Sequence, residues 1–128
     1  MTNNNSIDIL FCDDETPVTD TYKSILSRRN YNVIVKNNAT TCLDYLSTNI
    51  PDLIILDLNL PDMSGMDVLK NIRNSKRTRN IPIIIHTVRE KEKYLNIAES
   101  IGISAYIGKP VTPDKLLNEI KKIISSKI

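Results

Sequence analysis

Residues 7–12, 53–58 and 81–85 are nearly unbroken apolar runs, and a shorter run covers 105–107. Continuous rather than alternating apolar sequence is what parallel strands covered on both faces require. A fifth stretch, 31–35, is more polar at its ends and reads as an edge strand. Between these runs the apolar spacing changes to that of helices. Val18, Tyr22, Ile25 and Leu26 share one helical face, as do Ala39, Cys42, Leu43 and Leu46. Tyr94, Ile97, Ala98 and Ile101 repeat the spacing, and so do Leu116, Ile120, Ile123 and Ile124. Met66, Leu69 and Ile72 form a weaker stripe.

Start and stop signals fall where this pattern needs them. Thr16-Pro17 and Thr112-Pro113 each offer an N-cap hydroxyl followed by a proline at the first helical position. Ser64 with Asp67 resembles a capping box with Asp in place of Glu. Gly102 ends the fourth helical stripe, and Pro82 stands at the start of its strand, where a missing N–H is tolerated. The order is strand then helix, five times. It predicts an α/β fold with a doubly wound parallel five-stranded sheet, right-handed crossovers and helices on both faces. Residues 1–6 are expected to be a disordered polar tail and 7–128 a single domain.

Composition narrows the function classes. The 128 residues suit one domain. A net charge of +2 gives no electrostatic case for nucleic acid or an anionic membrane, so direct contact with either is not expected. No apolar run reaches membrane-spanning length and no secretory segment follows the polar start. Cys12 and Cys42 both fall on apolar faces, which favours two core thiols over a disulfide and fits the cytoplasm. The single histidine, His86, lies inside an apolar run without a second soft ligand near it in sequence, so a packing role outweighs a zinc-ligand role.

Sheets of this kind bind ligands beyond the carboxyl ends of their strands. Asp13 and Asp14 follow the first strand, the third leads to Asp57, Thr87 follows the fourth, and Lys109-Pro110 follows the fifth. Any one of these has a bland reading, as solvated loop, helix cap or surface lysine. Together they bring acids, a hydroxyl and an amine to one rim. Three carboxylates make a hard oxygen site suited to Mg²⁺. A carboxylate can attack phosphorus, so Asp57 is the candidate nucleophile, with Lys109 and Thr87 contacting phosphoryl oxygens.

The segments ILFCDDE, DLIILDLNLPDMSGMDVL, IPIIIHT and AYIGKPVTPDKLL occur in that order over almost the whole chain. They resemble the receiver domain of two-component response regulators. The resemblance implies a flavodoxin-like (βα)5 fold with sheet order 2-1-3-4-5. It implies that Asp57 is the phosphoacceptor, loaded from a sensor histidine kinase or a histidine phosphotransfer protein. It further implies that Asp13, Asp14, Asp57 and the Asn59 backbone carbonyl hold Mg²⁺, and that Lys109 pairs with the phosphoryl group. Thr87 and Tyr106 become the switch pair, and the Lys109-Pro110 bond is expected to be cis. A downstream target would read the face made by the fourth helix, fifth strand and fifth helix. Chemistry beyond self-catalysed phosphotransfer and autodephosphorylation is not implied.

Several positions depart from the commonest form. Val88 follows the switch threonine where a small residue is usual, so access to Asp57 is expected to be narrowed. Asn59 and Arg89 stand at positions expected to tune hydrolysis. Ser104 and Ala105 replace acids used in dimerisation by winged-helix regulators, which favours a monomer or a weak phosphorylation-linked dimer. A haloacid dehalogenase-type phosphatase would want an acid where Asn59 stands. A flavin mononucleotide binder would want glycines and hydroxyls where CDDETP stands. A scaffold that has lost phosphotransfer would not need the complete residue set. With no output segment in view, the chain reads either as a free-standing receiver or as part of a longer regulator.

Overall fold

The computed structural model describes residues 6–125. The expected disorder of residues 1–6 therefore falls, Ser6 apart, outside the described residues. Five strands alternate with five helices: β1 Ile7–Cys12, α1 Thr16–Ser27, β2 Tyr31–Lys36, α2 Ala39–Thr48, β3 Leu53–Leu56, α3 Gly65–Asn74, β4 Ile83–Thr87, α4 Lys91–Ile101, β5 Ala105–Gly108 and α5 Pro113–Ser125. The sheet is parallel throughout, in the order β2-β1-β3-β4-β5. This is the expected flavodoxin-like arrangement, with β2 at the edge.

Alternate residues of each central strand enter two separate cores. Leu10, Cys12, Ile54, Leu56, Ile83 and Ile85 pack beneath α2, α3 and α4. Ile9, Phe11, Leu53, Ile55 and Ile84 pack beneath α1 and α5 through Tyr22, Leu26, Leu116, Leu117 and Ile120. Both faces of β1, β3 and β4 are dry, which is why their sequences do not alternate. Each fully buried Leu, Ile or Phe contributes roughly 1.5–3 kcal/mol, and Phe11, Leu26 and Leu56 are all inaccessible to solvent. Cys12 and Cys42 are free buried thiols of the first core, as expected.

Several local expectations are corrected. The N-cap of α1 is Glu15, not Thr16, so Pro17 lies one position further into the helix. Ser64 does cap α3, but its Oγ accepts from Met66 N–H at 3.2 Å. The Asp67 N–H goes instead to the Ser64 carbonyl. Thr112 behaves as expected, its Oγ1 accepting from Lys115 N–H. β4 begins two residues later than the apolar run and continues through His86 and Thr87. Ile97 is 50% exposed, because α4 turns Ala98 and Leu95 to the core instead.

One cap is not local. Asp62, in the β3–α3 loop, accepts from the backbone N–H groups of Ala39 and Thr40 and from the Thr40 hydroxyl, at 2.7–2.9 Å. Those bonds, the Thr40 hydroxyl first, hold its carboxyl at about 2. The first turn of α2 thus has one cap from Asn38, which accepts from Thr41 N–H, and another from a segment 22 residues away.

Candidate functional site

Sheet hydrogen bonding continues one residue past the strand ends and sets the site. Asp13 N–H donates to the Lys36 carbonyl, Asp57 N–H to the Cys12 carbonyl, and Lys109 N–H to the Thr87 carbonyl, at 2.8–3.1 Å. Each functional side chain therefore leaves a backbone already fixed by the ladder. The Lys109-Pro110 bond is cis, as the resemblance implied.

Lys109 is the centre of the site. Its Nζ donates to Asp13 Oδ2 at 2.7 Å, Glu15 Oε1 at 2.7 Å and Asp57 Oδ2 at 3.0 Å. An ammonium has three donors, and all three are committed. Burial works against its charge, but the bonds to Asp13, Glu15 and Asp57 outweigh burial and hold Lys109 above the ordinary lysine range. A folded value above the unfolded one means that this stabilisation is fully present at neutral pH. It is lost only as the pH rises through the folded value.

Asp13 is fully buried and Asp57 is 3% exposed, whereas Asp14 faces solvent. The second Asp13 oxygen accepts from Glu15 N–H at 2.9 Å, and the second Asp57 oxygen accepts from Asn59 N–H at 3.0 Å. Burial lifts the Asp13 carboxyl above the usual carboxylate value, and the Lys109 and Glu15 hydrogen bonds oppose that shift without cancelling it. Carboxylate oxygens of Asp13, Asp14 and Asp57 lie within 4.8 Å of one another. No histidine or cysteine joins that group among the described residues. An all-oxygen set of three carboxylates, one opening to water, fits a hard divalent ion that keeps part of its hydration shell.

Around this cluster runs a second network. The Arg89 guanidinium donates to Asn59 Oδ1 and to Tyr94 Oη, and stacks over the Tyr94 ring at 5.3 Å. The Arg89 carbonyl accepts from Tyr106 Oη at 3.1 Å, and its N–H approaches Thr87 Oγ1 at 3.4 Å. Burial, with Tyr94 beside it, raises the Tyr106 phenol, which keeps the hydroxyl a donor. Tyr106 is 8% exposed and Thr87 is fully buried. The Tyr106 ring is thus already inside. Val88 is 63% exposed and lines a cleft beside Lys109.

The structure thus brings Asp13, Asp14, Asp57 and Lys109 into one cluster, with Thr87, Asn59, Arg89 and Tyr106 in the adjoining network. Two participants escaped the sequence reading. Glu15 is the third acid on Lys109; its place directly after Asp13-Asp14 was the available signal. Tyr94 packs against the first core, as its place in the fourth helical stripe predicts, and in addition supports Arg89.

A family model described as the response regulator receiver domain matches residues 9–121. The chain is 33% identical over 116 residues to the Escherichia coli transcriptional regulatory protein CpxR, covering 91% of this chain and 48% of that protein. It is 29% identical over 116 residues to the phosphate regulon transcriptional regulatory protein PhoB of the same organism, covering 91% and 51%. Over 113 residues it is 30% identical to the CAI-1 autoinducer sensor kinase/phosphatase CqsS of Vibrio cholerae, covering 88% of this chain and 16% of that protein. The chain therefore spans about half or less of these relatives. Among solved structures, a CheY-like receiver domain protein from Methanospirillum hungatei JF-1 superposes with a TM-score of 0.89 at 30% identity, covering 95% and 96%. The signal receiver domain of a histidine kinase from Syntrophus aciditrophicus gives 0.84 at 26% identity, covering 93% and 90%. Among the described residues no helix is long and apolar enough to cross a membrane.

Proposed function

Since this chain belongs to the response regulator receiver family, we propose that it accepts a phosphoryl group on Asp57 from the phosphohistidine of a sensor histidine kinase or a histidine phosphotransfer protein. Residues 7–128 form the receiver. Asp13, Asp14, Asp57 and the Asn59 backbone carbonyl would hold Mg²⁺. The observation that carries this reading is the meeting of Asp57 with Asp13, Asp14 and the Lys109 ammonium from separate strand ends.

An Asp57 carboxylate oxygen attacks phosphorus and forms the O–P bond. The P–N bond to the donor imidazole breaks, its electron pair staying on nitrogen. Bound Mg²⁺ supplies charge neutralisation for the phosphoryl oxygens. Lys109 loses one acidic partner as Asp57 becomes an acyl phosphate, which leaves a donor for a phosphoryl oxygen. The Asn59 N–H orients the carboxylate before attack. Hydrolysis later returns the carboxylate, and Asn59, Val88 and Arg89 set its rate by controlling water near Asp57. The domain carries out only this self-directed chemistry and acts as a cytoplasmic signalling module.

Incubation with Mg²⁺ and a small acyl phosphate, read by intact mass, tests the assignment. Wild type is expected to gain one phosphoryl group, while Asp57→Asn and the wild type in excess chelator gain none. Equal labelling of the two proteins would exclude Asp57 as the acceptor.

Phosphorylation adds about −1.5 to −2 charges and strong acceptors. Thr87 is drawn toward the new oxygens and the inward Tyr106 ring is held more firmly. A downstream target then reads the altered face of α4, β5 and α5, and any dimer formed is weak and phosphorylation-linked. The phosphoryl group shifts this equilibrium only by the difference in its contacts between the two states. With a beryllofluoride mimic, amide-exchange protection is expected to rise between residues 87 and 106. Unchanged protection there would count against the switch.

A further inference from the structure

The Lys109 ammonium meets three acids at once, so the backbone that carries it has to be fixed on both sides. Before Lys109 the sheet does this, since the Lys109 N–H donates to the Thr87 carbonyl at 2.8 Å. After Lys109 the chain leaves the sheet through Pro110, which has no N–H to give, and α5 begins only at Pro113. Among the described residues a single hydrogen bond reaches the backbone of Pro110 or Val111. It comes from Tyr22, whose hydroxyl donates to the Val111 carbonyl at 2.8 Å across 89 residues of sequence.

Tyr22 is itself firmly seated. Its ring stacks on Phe11 with centroids 5.9 Å apart and meets His86 edge-on at 5.7 Å. Burial raises the phenol above its ordinary value, against the pull of the Lys109 charge, so the hydroxyl stays protonated and a donor at neutral pH. Ring packing alone would be met by phenylalanine, so the hydroxyl is the part that packing does not account for. The same helix touches the lysine a second time. Glu15, the N-cap of α1, accepts from Lys109 Nζ at 2.7 Å. One helix thus holds Lys109 at its tip through Glu15 and its following backbone through Tyr22.

We propose that Tyr22 is a positioning residue for phosphoryl transfer: its hydroxyl fixes the segment after Lys109 and so keeps the ammonium within reach of Asp13 and Asp57. The inference rests on Asp57 being the phosphoacceptor. The Tyr22 hydroxyl bonds to no group of the acidic cluster and acts only through Lys109. Transfer is sensitive to small misplacements of the groups that hold the reacting atoms, so one bond on the lysine-bearing segment is enough to matter.

Tyr22→Phe removes the hydroxyl and keeps the ring. Asp57 labelling by a small acyl phosphate at saturating Mg²⁺, below the melting range of the variant, is expected to slow about fivefold, the worth of one neutral hydrogen bond. Made in Lys109→Met, the same substitution should slow labelling no further, because the lysine through which it acts is gone. A donor restored at this position as para-aminophenylalanine should bring the rate back. A hydroxyl that only stabilised the fold would leave the rate of the folded variant unchanged, and one acting by another route would slow both backgrounds alike. A second readout needs no phosphoryl transfer. The ¹H–¹⁵N signal of the Lys109 ammonium, identified by its loss in Lys109→Arg, is expected to broaden in magnesium-free Tyr22→Phe as its hydrogen bonds loosen. Should wild type fail to label, the phosphoacceptor reading falls and this signal alone decides the inference. Should the double variant fail to fold, the signal and the para-aminophenylalanine rescue decide it. An unchanged ammonium signal, an unchanged rate in Tyr22→Phe, no recovery with the restored donor, or equal slowing in both backgrounds would each overturn the proposal.

Discussion

Lys109→Met is expected to cost the magnesium-free protein about 3 kcal/mol of stability, the typical penalty for removing one partner of a buried charge pair. The reason lies in burial: Asp13 and Asp57 are 0% and 3% exposed, and the ammonium is bonded to both. Without it, the burial that already raises Asp13 acts almost unopposed, and Asp57 adds like-charge repulsion. The sign of the pH dependence follows. A carboxyl whose folded pKa exceeds its unfolded value binds protons more readily in the folded state, so stability is regained as the pH falls toward the ordinary carboxylate range. The variant should therefore be weakest at neutral pH and recover on mild acidification. Mg²⁺ should restore much of the loss by replacing the missing positive charge. Urea denaturation at two pH values, with and without Mg²⁺, measures all of this. Stability equal to wild type in every condition would mean that the lysine is not the counter-charge of the two acids. Asp57 labelling by a small acyl phosphate should fall about a hundredfold, the scale for losing one electrostatic donor.

Gly65→Ala is expected to damage both fold and site. A Cβ at this position would overlap the Asp57 carbonyl oxygen and sit 2.5 Å from Leu58 Cα. Both contacts are backbone, so no side chain can swing away. The close approach arises because Gly65 N–H donates to the Leu58 carbonyl at 3.0 Å, drawing the start of α3 onto the end of β3. Relief requires α3 to retreat or the Asp57 peptide to shift. We expect a loss of about 3 kcal/mol, at the upper end for overpacking, and slower labelling of Asp57. Thermal melting together with the labelling rate checks both. A variant as stable and as fast as wild type would show that α3 does not press on the acceptor strand.

Much of this architecture could be read from the chain because its strands are dry on both sides. Continuous apolar runs announced β1 and β3, and the polar residues just beyond strand ends marked the rim. The same rule misplaced β4. Apolar character begins at Ile81, but the ladder begins at Ile83, and His86 and Thr87 are strand residues despite their polarity. A pattern of hydrophobicity cannot register a polar group that is buried and in register. Ile97 was misjudged for a related reason: α4 buries a narrow strip through Ala98 and Leu95, leaving part of its apolar face in water. Asp62 is illegible as a participant because its partner lies 22 residues away in sequence, on a segment whose approach is decided by the fold. Glu15 carries only the weak signal of following Asp13-Asp14, its partner lying 94 residues away, and Tyr94, five residues from Arg89, reads first as a position of the α4 stripe. The acids and lysine of the cluster were legible because strand topology alone brings their positions together.

Arg89 is gripped from two directions. Its side chain reaches Asn59 and Tyr94, while its carbonyl receives Tyr106. For protein engineers this makes Asn59, Arg89, Tyr94 and Tyr106 a single transplantable cassette. A chimera that imports the loop after β4 without the tyrosine of β5 strands one end of the arginine, and one that imports the tyrosine alone gives its hydroxyl no matched carbonyl.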